Sequence, residues 1–294
     1  MFCGLTIPAD FITSTMQNQS VIEKRDLSFN PVINDNPKRL TVEQINFFNE
    51  NGYLKPFRIF SDEENIKNRN YFDHLIQLLK EQNDGRDAYA INCYQARCEG
   101  IWDIAKDSRI LDYVEDLIGP NIIAWASHYF CKSAHDEKIV PWHQDASYWP
   151  ISPARTVTVW IAIDDADEDN AAMQFIPGTH KLGHLEWKKA DKSAVLHQEI
   201  PETTQYGKPV FVNLKAGEFS FHADMMVHGS TANPSNRRRC GLTIRYCPPE
   251  VKSTDSNWVA DAIICRGKDP YNHWVDNPRP QGDDLSRRSY LRDK

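Results

Sequence analysis

The feature that most restricts what this 294-residue chain can fold into is a change of periodicity at Gly119-Pro120. Ahead of it, apolar residues recur at helical spacing. Thr41 can cap a helix that carries Glu43 in its first turn and Ile45, Phe47 and Phe48 on its apolar face, until Asn51-Gly52 stops it. A short strand is expected over residues 53–56. A second helix is expected over 61–82, with Tyr71, Leu75, Leu78 and Leu79 in phase, and a third over 101–118, burying Ile104, Ile110, Val114 and Leu117. Beyond Pro120, short runs rich in β-branched and aromatic residues follow one another, separated by Gly, Pro, Asn and Asp. Strands are expected at 122–132, 157–163, 173–176, 210–214, 218–222 and 242–246, with a further one at 258–265. Helices first and strands afterwards, without β-α alternation, argue against a parallel sheet. They predict an antiparallel sandwich or barrel, mainly β, with helical decoration on its outside.

No internal repeat of 20 to 50 residues is present. The pattern divides the chain into an N-terminal extension (1–39), one domain (40–280) and a polar tail (281–294). Within the domain the helices occupy about 41–118 and the strands about 121–247, and a polar stretch at 185–205 reads as a lid or insertion. With 40% hydrophobic and 26% charged residues, the chain can bury one large core. A net charge of −7, with Arg237-Arg238-Arg239 as its densest basic cluster, argues against nucleic acid as a partner. No run of about 18 apolar residues occurs, so no membrane span is expected. Seven scattered cysteines, an odd number without a C-x-x-C pair, fit reduced thiols and a cytoplasmic or other reducing intracellular setting. The first residues lack a basic start followed by an apolar core, so no secretory signal is expected, and the final Arg-Asp-Lys is no peroxisomal address. A monomer or weak homo-oligomer is expected.

Chemistry enters at Pro141-Trp142-His143-Gln144-Asp145. On an extended segment, residues two apart project from one side, so His143 and Asp145 can reach one metal ion. They would form two-thirds of the 2-His-1-carboxylate facial triad, which leaves three coordination positions open for reactants. A bare His-x-Asp is most often a pair of solvated loop residues, so a third ligand must come from another strand. His74 lies in a helix pattern, His135, His180, His184 and His197 lie in polar turns, and His273 is near the tail. His128, His222 and His228 remain. His228 precedes Gly229-Ser230, and Arg239 follows 11 positions later, beside the strand-like stretch 240–244. A ligand and a buried guanidinium can then sit side by side on neighbouring strands. An Arg fork holds a carboxylate bidentately, and a hydroxyl adds a third donor. A 2-oxo acid clamped in this way is one chemical answer to the need for two further electrons when Fe(II) reacts with O2.

Several fragments together carry a resemblance to a known family. They are Asn51-Gly52-Tyr53-Leu54, Phe130-Cys131-Lys132, Val140-Pro141-Trp142-His143-Gln144-Asp145, Trp160-Ile161-Ala162-Ile163-Asp164-Asp165 and Phe175-Ile176-Pro177-Gly178-Thr179-His180. His228-Gly229-Ser230, Asn233-Pro234, Arg239 and Ile244-Arg245-Tyr246 complete the set. Over about residues 40–280 the chain resembles the phytanoyl-CoA hydroxylase family of Fe(II)/2-oxoglutarate-dependent oxygenases. The resemblance implies a double-stranded β-helix, that is, a cupin-like jelly roll. It places the metal ligands on His143, Asp145 and His228, and the 2-oxoglutarate anchor on Arg239 with help from Ser230. It also places Trp160 in the cosubstrate pocket and Gln144 beside it. Asn170-Ala171-Ala172 departs from the family's usual Asn-Gly, and the alanine loses glycine's freedom at positive φ, which leaves the hairpin type open. Relatives that chlorinate have a small residue where Asp145 stands, so halogenation is disfavoured.

Around this site His128 shares a strand face with Ala126, Phe130 and Lys132, and either faces substrate or packs in the core. Lys132, Tyr148, Trp149 and Tyr94, with Asn92, are the other candidates for substrate contact. His222 is expected to pack, Met225 and Met226 to fill space, Arg237 and Arg238 to face solvent, and Arg245 to stand in for Arg239 if that residue is turned away. The expected activity is oxidation of an unactivated C–H bond in a small metabolite, with O2 and 2-oxoglutarate consumed and succinate and CO2 released. Hydroxylation is the default outcome, and desaturation or ring closure differs only in substrate placement. The competing readings are a non-oxidative metal enzyme, or a metal-binding module, that uses the same residues on a cupin-like barrel. A demethylase acting on nucleic acid or histone is disfavoured by the acidic balance.

Overall fold

The computed structural model describes residues 25–287. The first part of the expected extension (1–24, including Cys3) and the end of the expected tail (288–294) lie outside the described residues. Helix α1 (Val42–Asn51) starts at Thr41, whose side chain accepts the Gln44 N–H while Gln44 answers to the Thr41 N–H. It stops at Gly52, whose φ of 81° is one that glycine adopts without strain. Strand β1 (Tyr53–Arg58) follows, and α2 (Asp62–Glu81) opens on the same kind of reciprocal cap between Ser61 and Glu64. The single helix expected over 101–118 is two, α3 (Glu99–Ala105) and α4 (Ser108–Ile118). Asp107 turns extended between them and accepts the Arg109 N–H, which starts the helix afresh.

The remaining elements are β2 (Ile122–Lys132), β3 (Val140–Gln144), the one-turn α5 (Asp145–Tyr148), β4 (Ile151–Ser152), β5 (Val157–Ala162) and β6 (Gln174–Phe175). After these come β7 (Lys188–Lys189), β8 (Gln198–Glu199), β9 (Val210–Phe211), β10 (Glu218–Ala223), β11 (Val227–Ser230), β12 (Arg239–Cys247), β13 (Lys252–Ser253) and β14 (Ile263–Arg266). The strand expected at 258–265 is thus mostly absent. Asp255 accepts the Asn257 N–H and caps a 3-10 turn through Trp258, and only the last part pairs.

Two antiparallel sheets form a mainly β, cupin-like jelly roll. One has the order β1-β10-β5-β12-β2-β14 and the other β3-β11-β6-β9. The alternation of side chains along each strand explains where core and lumen lie. Val157, Val159 and Ile161 of β5, Phe219 and Phe221 of β10, and Leu242, Ile244 and Tyr246 of β12 turn outward. There they share one apolar core with Phe48 of α1, Phe72 and Leu75 of α2 and Val114 of α4. Their neighbours Trp160, His222, Arg239, Thr243 and Arg245 turn inward and line the cavity. The helical decoration therefore covers one sheet face and frees the other for polar work.

At the departure Asn170-Ala171-Ala172, Asp167 and Asn170 cap a short 3-10 turn. Ala171 takes φ 65° and ψ 48°, a left-handed conformation that costs an alanine about 1 kcal/mol. The 185–205 segment carries the β7–β8 hairpin and is tied to β3 by the Ile200 N–H, which donates to the Trp142 carbonyl at 2.8 Å. Among the described residues, no helix is long and apolar enough to cross a membrane.

Candidate active site

Strands β3 and β11 pair so that His143 and His228 face each other directly. Their rings are 4.1 Å apart between centroids. Each ring is held by its own strand. His143 Nδ1 lies 2.8 Å from the Pro141 carbonyl oxygen, and His228 Nδ1 lies 2.9 Å from that of Met226. A carbonyl only accepts, so Nδ1 carries the proton in both rings and the Nε2 lone pairs are left for a cation.

The strand ends one residue earlier than an extended His-x-Asp requires, since Asp145 opens α5. Its carboxylate nevertheless reaches the two rings, with Oδ1 3.5 Å from His143 Nε2. One ligand atom from each of His143, Asp145 and His228 can be chosen so that all three lie within 4.8 Å of one another, and all three residues are buried. The turn that presents Asp145 is pinned from two sides. The Ala146 N–H donates to the Asp224 carbonyl, and Arg25 donates to the carbonyls of Ala146, Ser147 and Trp149.

Burial alone would push the Asp145 carboxyl up, but Arg245, His143 and His222 hold it well below the usual range. Burial, reinforced by His143, holds His228 well below the ordinary histidine value. Asp145 and His228 are thus an anion and a neutral imidazole, the forms that bind a divalent cation. His222, expected to pack, stands against this group, with Nε2 3.7 Å from Asp145 Oδ2 and its ring 4.7 Å from that of His228.

Arg239 lies in the same cavity, 2% exposed, with Nη2 3.1 Å from Ser230 Oγ. Its guanidinium carbon is 5.8 Å from the Trp160 ring, and its buried Nε has no partner. Trp160 can lie across β12 only because residue 241 is glycine. A Cβ there would stand 2.0 Å from the indole. An orphaned guanidinium N–H and a hydroxyl at the end of a cavity that starts at the triad fit a carboxylate. The donor set of the triad fits a divalent cation such as Fe(II).

Past Asp145 lies a second chamber, lined by His128, Tyr148 and Trp149 among others. His128 Nε2 is 2.7 Å from the Tyr89 carbonyl oxygen, and burial lowers its pKa to about 3. The Tyr148 hydroxyl accepts the Gln198 N–H at 2.8 Å and so fastens the 185–205 segment beside the chamber.

Three expected contacts are not brought to the site. Gln144 follows an inward His143, so it points the other way. Its amide donates to the Gly183 and Met225 carbonyls at 2.9 Å each and accepts the Leu185 N–H. The Lys132 ammonium turns to the Lys138 carbonyl. The Tyr94 hydroxyl is engaged by Arg86 at 2.8 Å and donates to the Ser286 carbonyl. Arg245, expected only as a substitute for Arg239, lines both cavities. Its signal in the sequence was parity, since 239, 241, 243 and 245 share one face of β12.

Comparison with known proteins places these features in a lineage. Residues 48–241 match the family described as Phytanoyl-CoA dioxygenase (PhyH). The peroxisomal phytanoyl-CoA dioxygenase of Bos taurus is 24% identical over 234 residues, covering 70% of this chain and 68% of its own. Among solved structures, the apo form of the non-heme monooxygenase ThoJ is 25% identical with a TM-score of 0.70, over 81% of this chain and 88% of that one. CytC3 with Fe(II) and alpha-ketoglutarate is 23% identical with a TM-score of 0.58, over 84% of this chain and 92% of that one.

Proposed function

The chain belongs to the phytanoyl-CoA dioxygenase (PhyH) family, and on that premise we propose that it is an Fe(II)- and 2-oxoglutarate-dependent dioxygenase of a small metabolite. His143, Asp145 and His228 hold the iron, and Arg239 with Ser230 holds the far carboxylate of 2-oxoglutarate. The observation that carries this reading is the joint burial, in one cavity, of two imidazoles and a carboxylate at one end and an Arg–Ser pair at the other. A metal site for non-oxidative chemistry would have no use for the second half.

Bound together, Fe(II), 2-oxoglutarate and O2 supply an oxidant able to break an unactivated C–H bond, with succinate and CO2 as co-products. The protein's share is placement. The Pro141 and Met226 carbonyls fix the imidazole tautomers. Arg25 and Asp224 hold the turn that aims Asp145, and Trp160 and Phe130 line the cosubstrate end around Arg239. With Asp145 in place, the corner that halide would need is filled, so hydroxylation is the default, and desaturation or ring closure would follow from a different substrate pose.

The test is anaerobic calorimetry of Fe(II) and then 2-oxoglutarate binding to the purified chain. One equivalent of each is expected, with the second depending on the first. Binding of metal without any binding of 2-oxoglutarate would move the protein to the non-oxidative class.

A further inference from the structure

The chamber beyond Asp145 has a volume of about 150 Å³. A cavity of about that size admits a benzene-sized body. Its apolar walls are three indoles. Trp149 meets Trp125 edge-on at 4.7 Å between centroids, and Trp258 stands 5.8 Å from Trp125. Arg245 stands between this chamber and the triad cavity and lines both.

Its side chain is 7% exposed, its guanidinium lies over Trp149 at 5.0 Å, and its buried Nε has no hydrogen-bond partner. The charge of Arg245 helps hold the Asp145 carboxyl low. Among the described residues, however, no carboxylate comes within ion-pair reach of Arg245, and the Asp145 oxygens lie instead 3.5 Å from His143 Nε2 and 3.7 Å from His222 Nε2. Asp261 also lines the chamber, so its wall is not uniformly cationic. A buried guanidinium N–H without an acceptor, here Nε of Arg245, is costly to maintain, and an anionic ligand removes that cost.

We propose that this chamber receives the substrate as a compact carboxylic acid, with the carboxylate on Arg245 and the body against Trp125, Trp149 and Trp258. The inference rests on the reading of Asp145 as a metal ligand, because it makes Arg245 the cation nearest the reaction centre on the substrate side. The acid end is then the end beside the triad, and the C–H bond attacked lies within a few bonds of the carboxylate. An acyl group esterified to a carrier lacks that anion and is disfavoured.

The test compares matched acids and amides, benzoate with benzamide and cyclopentanecarboxylate with its amide. Both are titrated into the protein loaded with Fe(II) and saturating 2-oxoglutarate in the absence of O2, and again into the chain without either. In the wild type at least one acid is expected to bind roughly tenfold more tightly than its amide. Arg245→Gln should erase the ratio, whereas Arg245→Lys should keep part of it. A wild type in which no acid exceeds its amide overturns the proposal even if every variant misfolds, and so does a ratio that survives in folded Arg245→Gln. Failure of 2-oxoglutarate to bind would sink the dioxygenase reading instead, and the acid–amide ratio of the unloaded chain is read separately from it.

Discussion

His143 and His228 face each other across the β3–β11 pair with ring centroids 4.1 Å apart, each ring tied through Nδ1 to the carbonyl two residues before it. The backbone itself sets both tautomers and turns both Nε2 atoms the same way. Replacing either histidine with Ala should weaken Fe(II) binding by at least about a hundredfold. Asp145→Gly should weaken it too, but added formate or acetate should restore part of it, because the carboxylate is supplied from the side rather than by the sheet. Calorimetry with and without formate checks this. Full affinity in any of the three variants would contradict the ligand assignment.

Arg239 and Ser230 meet at 3.1 Å at the far end of the cavity. Arg239→Met should raise the KM for 2-oxoglutarate by roughly 10² while leaving Fe(II) affinity near the wild-type value, since a charge-assisted pair contributes about 1.5–3 kcal/mol. Arg239→Lys should fall between the two, keeping the charge without the fork. A steady-state titration of 2-oxoglutarate reads the difference.

Gly241 gives the Trp160 indole its place. Gly241→Ala puts a methyl group 2.0 Å from the ring, so Trp160 or β12 must move. A loss of stability of about 1–3 kcal/mol is expected, accompanied by weaker 2-oxoglutarate binding, because the displaced ring covers Arg239. Denaturant melts together with cosubstrate titration test both halves.

Burial, together with Arg239, lowers the Lys132 ammonium to about 7. An unfolded lysine titrates near 10.4, so between these values the unfolded chain binds more protons and stability rises with pH. Lys132→Met should therefore be more stable than the wild type by about 1–3 kcal/mol at pH 7, and the gap should close as the pH approaches about 10. Urea melts across that range provide the measurement, and a gap independent of pH would contradict the buried charge.

The fold was legible where one rule governs many residues. The change of period at Pro120 separates helices from strands, and the alternation on β5, β10 and β12 separates core from lumen. The grouping of His143, Asp145 and His228 was legible because two of the three lie two positions apart in sequence. What stayed hidden depends on depth and direction. Gln144 stands between His143 and Asp145, yet strand alternation turns it into the wall behind them. Lys132 lies opposite Arg239 in register, yet it ends on a loop carbonyl. Tyr94 belongs to a cluster with Arg86 and with Ser286, which lies 192 positions further along the chain. Arg239 and Arg245 share a strand face. Only the three-dimensional arrangement shows that one meets Ser230 and the other opens onto a chamber of indoles. Asp107 shows the local limit, since one capping side chain split a helix that apolar spacing alone makes continuous.

The most direct measurement is conversion of 2-oxoglutarate to succinate by the purified chain, with Fe(II), 2-oxoglutarate and O2 each omitted in turn. Succinate is expected only when all three are present, at a slow rate without substrate, and at a rate raised by a compound that fits the Arg245 chamber. Its complete absence from an iron-loaded, folded protein, or a metal-dependent reaction that runs equally well without O2, would contradict the account.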